Sequence, residues 1–352
     1  MKSDPEEPTP RSHSDRTVER KSERVADKGA FRFLVSGPRR ILPGPVALNA
    51  CLLAGMVAGV ALMAWGGEGD DAEDGPTIVV EEAALEFVRS DLPVHVNERV
   101  ERWIRRFLTV DRESFEHYLA REGLYGGMIR DRLRARDMPE ELLYLAMIES
   151  GFSPWATSPV LASGIWQFMG PTARAYGLRI DHWVDERRDP IRATDAALDY
   201  LEGLHDQFGS WYLAAAAYNA GPARVSRGLS RVRGEVSEDD ELYWEIIEHL
   251  PRETRQYVPK ILAAAILASQ AEHFGLDVEP DLPYLSERVL VPGGTSLARV
   301  AEAAEVPPSL MRDLNPHLVR GVTPPNGSYL LRVPQGTSGE VVAAHTAGRI
   351  GR

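Results

Sequence analysis

From Val46 to Trp65 the chain reads VALNACLLAGMVAGVALMAW, an uncharged run in which Asn49 is the one strongly polar side chain. An apolar helix of about 20 residues, rising about 1.5 Å per residue, matches the roughly 30 Å hydrocarbon layer of a bilayer. A soluble helix apolar on every face would need a large core around it. A cleaved secretory signal would place a shorter apolar region nearer the N-terminus. The run is therefore predicted to be a transmembrane anchor over 44–66. Arg39 and Arg40 precede it, while Glu68, Asp70, Asp71, Glu73 and Asp74 follow. The positive-inside bias then keeps the N-terminal tail cytoplasmic and exports everything after Trp65. Apolar residues follow Cys51 instead of leading up to it, so it does not read as a lipid-attachment site. Gly55 and Gly59 have the GxxxG spacing that lets two anchors pack closely, which leaves an anchor-mediated homodimer open.

The anchor divides the rest. Residues 1–43 are rich in charge, Ser and Pro and cannot bury enough apolar surface to offset their ordering entropy, so a disordered tail is predicted. An acidic, Gly-rich linker is predicted over 67–80. A net charge of −12 argues against a nucleic-acid partner, which calls for a concentrated basic face. With one cysteine there is no intramolecular disulfide and no cysteine-based zinc site. The nine histidines show no His-Glu-x-x-His spacing, so neither a metal nor any other cofactor is predicted.

Beyond the linker the pattern is helical. Leu85, Val88, Leu92, Val96, Val100, Trp103 and Ile104 recur at spacings of three and four, interrupted at Pro93. Further helices are predicted over 112–120, 128–136, 140–148, 193–208, 211–219 and 260–273. Together these make one mostly helical domain over 81–275. After a Pro-punctuated linker, Arg288–Val291 and Tyr329–Val333 read as strands flanking two helices, Ser296–Ala304 and Pro308–Leu314. This predicts a small βααβ unit over 284–336, with 337–352 left as a tail.

Glu149 ends the apolar helix ELLYLAMIES, one turn beyond Leu142 and Leu145. A carboxylate there is partly desolvated, which raises its pKa and suits a general acid that must hold a proton near neutral pH. Position alone still leaves an ordinary exposed helix-end glutamate as the simpler reading. Downstream, SGIWQFMGPTARAYGL places Gln167 and Met169 in an apolar run punctuated by glycines and ending at Pro171. AAAAYNAG closes a small-residue helix with Tyr218 and Asn219, and ETRQY puts Tyr257 just ahead of another helix. Singly, each of these is more often structural, and Tyr218 and Tyr257 read by default as core tyrosines with satisfied hydroxyls.

Taken in order, IESGFSP, ASGIWQFM, AAYNAGPARV and ETRQYVPK resemble the lytic transglycosylases with a goose-lysozyme-like fold, most closely the membrane-bound D type. The resemblance runs from about Ile104 to Phe274. It implies a lysozyme-like helical catalytic domain, Glu149 as catalytic glutamate, and Ser150, Gln167, Met169, Tyr218, Asn219 and Tyr257 along a sugar groove. The implied substrate is the glycan strand of peptidoglycan, and the implied place is a bacterial inner membrane with the catalytic domain facing the wall. VPGGTSLARVAEAAEVPPSLMRDLN followed by GSYLLRVP resembles a LysM repeat, with Gly293-Gly294-Thr295 in place of the usual Gly-Asp-Thr. That unit either binds glycan or caps the catalytic domain.

Most glycosidases use two carboxylates, but no second acid lies beside Glu149 in ESGFSPWATSP or SGIWQFM. Asp181, Asp185 and Glu186 fall outside the motifs and read as structural or surface charges. The family's reaction needs one carboxylate only. Glu149 would protonate the glycosidic oxygen and then deprotonate the muramic acid C6 hydroxyl, closing a 1,6-anhydro ring without water. Hydrolysis of the same bond, or an inactive glycan-binding scaffold, are the alternatives.

Overall fold

A computed structural model describes residues 92–93, 95–232, 240–283 and 285–350. The run 46–65, both glycines of its GxxxG spacing, Cys51, and the predicted tail and linker lie outside the described residues. Among the described residues no helix is long and apolar enough to cross a membrane. The fold is mainly helical, with one two-stranded sheet near the C-terminus.

Helix α1 (Glu98–Leu108) starts at Asn97, whose Oδ1 accepts from the backbone N–H groups of Arg99 and Val100 at 3.0 and 3.2 Å. Val100, Ile104 and Phe107 form its buried stripe. Where two helices were expected over 112–136, a single α2 (Arg112–Arg134) runs through Gly126 and Gly127. Each glycine costs about 1 kcal/mol against alanine. Burying Phe115, Tyr125, Ile129 and Leu133 on the same helix, at about 1.5–3 kcal/mol for each large apolar side chain, outweighs that.

A 3₁₀ turn (Glu140–Leu142) leads into α3 (Leu143–Ser150), which is buried on every side. Gly151 ends it with a φ of 55°, a left-handed cap that brings its N–H 2.7 Å from the Met147 carbonyl. There follow α4 (Gly170–Ala175), a 3₁₀ turn (Glu186–Arg188), α5 (Pro190–Phe208), α6 (Trp211–Ala220), α7 (Pro222–Val232) and α8 (Glu241–Ile246). Helix α9 (Arg252–Ser269) packs against α1, α3 and α6 at the centre of the larger core.

Helix α9 begins eight residues earlier than its apolar pattern suggests and carries Pro259 inside it. Proline has no N–H for the carbonyl of residue 255. The buried Tyr243 hydroxyl supplies the missing donor, lying 3.3 Å from the Arg255 carbonyl and 3.0 Å from that of Thr254. Tyr257 therefore sits inside a helix, not ahead of one.

Strands β1 (Ser286–Pro292) and β2 (Ser328–Pro334) pair antiparallel with Ser286 opposite Pro334. Between them lie α10 (Leu297–Ala303) and α11 (Pro308–Leu314), so the expected strand–helix–helix–strand order is present. The tail expected over 337–352 is not one: Ser338–Thr346 forms α12, which packs on β1 and buries Val341 and Ala344. The Ser338 N–H donates to Glu287 Oε1 at 3.0 Å, which fixes the helix start to the sheet. A helix of two and a half turns, in a Gly-rich and polar stretch, has too few apolar positions to register as a period.

The second apolar core is built from this unit plus Val184, which comes from the helical domain. The segment 180–189 is joined to the unit at several points. Val184 bridges Leu318, and the Asp185 N–H donates to the His317 carbonyl at 2.9 Å. Arg332 Nη2 donates to both oxygens of Asp189, at 2.8 and 2.7 Å, with both side chains buried. Asp189 also caps α5 through the N–H groups of Ile191 and Arg192. His317 Nδ1 lies 3.4 Å from Asp189 Oδ2. Burial, with the Arg332 charge, pushes its pKa down to about 4 against the pull of Asp189, so it is a neutral polar neighbour and not an ion-pair partner.

Candidate active site

Glu149 is the last residue but one of α3 and only 7% exposed. The exposed helix-end reading therefore does not hold. Helices α6 and α9 pack in around it. The Tyr257 hydroxyl donates to Glu149 Oε1 at 2.6 Å. Burial pushes the Glu149 pKa up to about 8; the Tyr257 hydrogen bond and the Lys260 charge pull it down, and Glu253 pushes it further up. At neutral pH the side chain is an acid holding its proton.

Tyr218 lies near enough for the Glu149 charge to help raise its own pKa, after burial, well above the ordinary phenol value. Its hydroxyl donates to the Trp166 carbonyl at 2.8 Å, fixing the segment that carries Gln167. Asn219 bridges α6 to α9: Nδ2 donates to Glu253 Oε1 at 3.1 Å, and Oδ1 accepts from Thr254 Oγ1 at 2.7 Å.

Ser150 and Gln167 are committed to the fold. Ser150 Oγ lies 2.9 Å from the Ile165 carbonyl and 3.2 Å from that of Ala146, and it accepts from the Ser153 N–H at 3.2 Å. Gln167 adopts a left-handed φ of 46°, and its Nε2 donates to the carbonyls of Gly164 and Ala156 at 2.8 and 3.3 Å. Ser150 ties the loop 153–168 to α3, and Gln167 ties the loop to itself. Met169 is half-buried at the N-cap of α4. Of the three acids set aside as structural, Asp181 accepts from the N–H groups of Trp183 and Val184, and Asp185 pairs with Arg187. Glu186 Oε2 accepts from the Arg179 N–H.

Two groups next to Glu149 escaped the motif reading. Glu253, Tyr257 and Lys260 fall at i, i+4 and i+7 of α9, one face of a helix. Lys260 is buried, its Nζ lies 4.4 Å from the centre of the Trp103 ring, and burial lowers its pKa to about 8. The ETRQYVPK block contained the signal, which is visible only once the helix is started at Arg252 in spite of Pro259.

Gly164 fixes the other side of this loop. Its φ is 84°, and a Cβ there would lie on the carbonyl oxygen of Arg187. Gly164→Ala is expected to destabilise the protein by about 1–3 kcal/mol, read as a lower Tm. An unchanged Tm would mean the loop and the 180–189 segment are free to separate.

The comparisons with known proteins agree with these motifs. Residues 128–240 match the model of the transglycosylase SLT domain, and residues 286–349 match that of the LysM-like domain of lytic transglycosylase MltD. The membrane-bound lytic murein transglycosylase D of Escherichia coli K12 is 30% identical over 285 residues, 79% of this chain and 61% of that protein. The chain is a relative of the lytic transglycosylases. It spans 61% of the length of that curated relative. The soluble lytic murein transglycosylase of Escherichia coli K12 is 30% identical over 146 residues, 40% of this chain and 22% of its own length. Among solved structures, the 70 kDa soluble lytic transglycosylase of Escherichia coli aligns over 42% of this chain and 24% of its own, at 27% identity and a TM-score of 0.34. The SLT match ends at residue 240, so Glu149, Gln167, Tyr218 and Asn219 fall within it while Tyr257, Glu253 and Lys260 lie beyond it.

Proposed function

We propose that this chain is a peptidoglycan lytic transglycosylase, a lyase that cleaves the β-1,4 bond between N-acetylmuramic acid and N-acetylglucosamine. The observation that carries the reading is Glu149, buried, held by the Tyr257 hydroxyl, and with burial pushing its pKa up to about 8. Glu149 gives its proton to the glycosidic oxygen as the bond to C1 of the muramic acid breaks. The substrate's 2-acetamido oxygen stabilises the oxocarbenium-like centre. Glu149, now a carboxylate and stabilised by Tyr257 and Lys260, takes the proton of the C6 hydroxyl as that oxygen bonds to C1. A 1,6-anhydro ring results, Glu149 regains its proton, and no water is consumed. Gln167, Met169, Tyr218 and Asn219 form or brace the groove that receives the strand. Ser150, whose hydroxyl is already bonded within the fold, acts by holding Ile165.

The reading extends to a lysozyme-like architecture for the helical domain, up to residue 275, followed by the LysM-like unit, which with its closing helix runs over 286–349. The uncharged run 46–65 and its flanking charges support a single-pass inner-membrane anchor, with the body in the periplasm on its polymeric substrate. The name of the Escherichia coli relative, membrane-bound, is in keeping with that.

Glu253 favours a second reading, hydrolysis, because it supplies another carboxylate whose charge acts on Glu149. Its bond from Asn219 Nδ2 leaves it engaged within the protein, which supports the one-carboxylate route. The full chain is therefore expected to release from sacculi soluble muropeptides one water lighter than those a hydrolase releases. Fragments of hydrolysed mass would establish the second reading instead.

The free enzyme must hold its proton on Glu149, so kcat/KM is expected to fall as pH rises through about 8. Tyr257 stabilises the carboxylate form, so Tyr257→Phe moves that alkaline limb upward. The size expected is about one pH unit, from a hydrogen bond to a charged group. A limb that moves down in a pH–rate profile on a soluble glycan would contradict this placement of the proton.

A further inference from the structure

The segment 180–189 faces two ways. On one side the C-terminal unit grips it: Val184 lies in that unit's apolar core, the Asp185 N–H donates to the His317 carbonyl, and Arg332 pairs with Asp189. Arg320 adds Nε to the His182 carbonyl at 3.2 Å, with its guanidinium 5.6 Å from the centre of the Trp183 ring. On the other side, the segment holds the loop after Glu149. Arg187 Nη1 donates to the carbonyls of Leu161 and Phe168 at 2.7 and 3.0 Å, and Asp185 fixes its guanidinium from behind. Arg188 Nη1 donates to the Trp155 carbonyl at 3.1 Å, and its Nη2 to Thr157 Oγ1 at 2.8 Å.

The loop needs these bonds. Trp155, Val160 and Leu161 expose their side chains, so burial contributes little to holding 155–161. Leu161 also adopts a left-handed φ of 65°, a strained conformation for a leucine. The far end of the loop carries Ile165 and Trp166, whose carbonyls accept from Ser150 and Tyr218 beside the Glu149 site.

We propose that the C-terminal unit positions the catalytic loop: it clamps the 180–189 segment, from which Arg187 and Arg188 hold residues 155–168 against the Glu149 helix. Arg187, Arg188 and Arg332 are then positioning residues. The unit works as a fixed part of the groove and not as a module swinging on its linker. The kinetic consequence rests on the lytic transglycosylase reading, whereas the structural consequence does not.

Hydrogen exchange on the full-length chain separates the two. In Arg332→Met and in Arg188→Ala, the backbone amides of Gly164, Gln167 and Phe168 are expected to exchange about tenfold faster or more, while those of α9 stay protected. On a soluble oligomer of alternating N-acetylglucosamine and N-acetylmuramic acid, both variants lose about tenfold in kcat with KM changed less than about twofold. Should Arg332→Met unfold, Arg320→Ala decides in its place, since it removes only the unit's hold on His182 and Trp183. Loop exchange at the wild-type rate would overturn the proposal, as would a rise in KM at constant kcat, the mark of a tethered binding module. A wild-type chain that cleaves no glycan would sink the functional reading and leave the exchange result to decide this one.

Discussion

Glu149→Gln is expected to lower glycan cleavage by about 10⁴-fold or more, with binding to sacculi retained. A positioned acid or base contributes about 10²–10⁴-fold to a proton transfer, and here one side chain makes both transfers. Glutamine keeps the shape and can still accept from Tyr257, so the loss would be chemical and not structural. The same variant is expected to be more stable than the wild type. The folded-state pKa of Glu149 lies at about 8, above the ordinary glutamate value near 4.5, so the folded protein binds a proton that the unfolded chain releases. That contribution is fully present below about pH 4.5 and is lost as pH rises to about 8. Glutamine has no such loss, and the Tm gain of the variant therefore grows across that window and levels off above it. Greater stability paired with lost activity distinguishes a site built around a costly group from one in which the glutamate only braces the fold.

The second large effect lies at the joint between the helical domain and the C-terminal unit. Arg332→Met leaves Asp189 buried without its cation, and breaking a buried pair in this way costs about 3–5 kcal/mol. By contrast Arg134 and Asp131, 2.8 Å apart but mostly exposed, belong to the class of surface pairs worth about 0–1 kcal/mol. Denaturant titration of Arg332→Met and of Arg134→Met would measure the difference, and comparable small losses would mean the joint is solvated. The joint also sets acid sensitivity. The Arg332 charge is the strongest influence holding the Asp189 carboxyl below its ordinary range against the opposing effect of burial. Its contribution is present above about pH 4 and lost as pH falls through that depressed value. His317 acts in the same direction. Its folded-state pKa of about 4 lies below the ordinary 6.5, so the unfolded chain gains a proton first and stability falls as pH drops from about 6.5 to 4.

Much of the site was legible in the sequence because its parts are local. Glu149 follows the run Leu142–Ile148, seven residues without a charge, and a helix buried on all sides is what such a run becomes. Tyr218 and Asn219 end a helix of alanines that can pack only closely. The two strands and two helices of the C-terminal unit announced themselves through short apolar runs stopped by prolines. What stayed hidden depended on partners distant in sequence. Helix α9 reaches back past Pro259 because Tyr243 stands beside the unpaired carbonyl, and no local pattern reveals that. With the helix start misplaced, Glu253 and Lys260 could not be seen to share a face with Tyr257. In the 180–189 segment only Asp181, Asp185 and Glu186 drew notice, as structural or surface charges, yet its Val184 completes a core more than 100 residues away in sequence. Ser150 and Gln167 were read as groove residues from their motifs alone, whereas their hydrogen bonds to the loop carbonyls are a matter of tertiary placement.

In the proposed reaction the muramic acid C6 oxygen, and not water, takes the glycosidic carbon. Digestion of sacculi by the full chain in ¹⁸O-labelled water tests it directly. Muramic acid ends of anhydro mass with no ¹⁸O incorporated are expected. One ¹⁸O at each newly formed end would contradict it and make the enzyme a hydrolase.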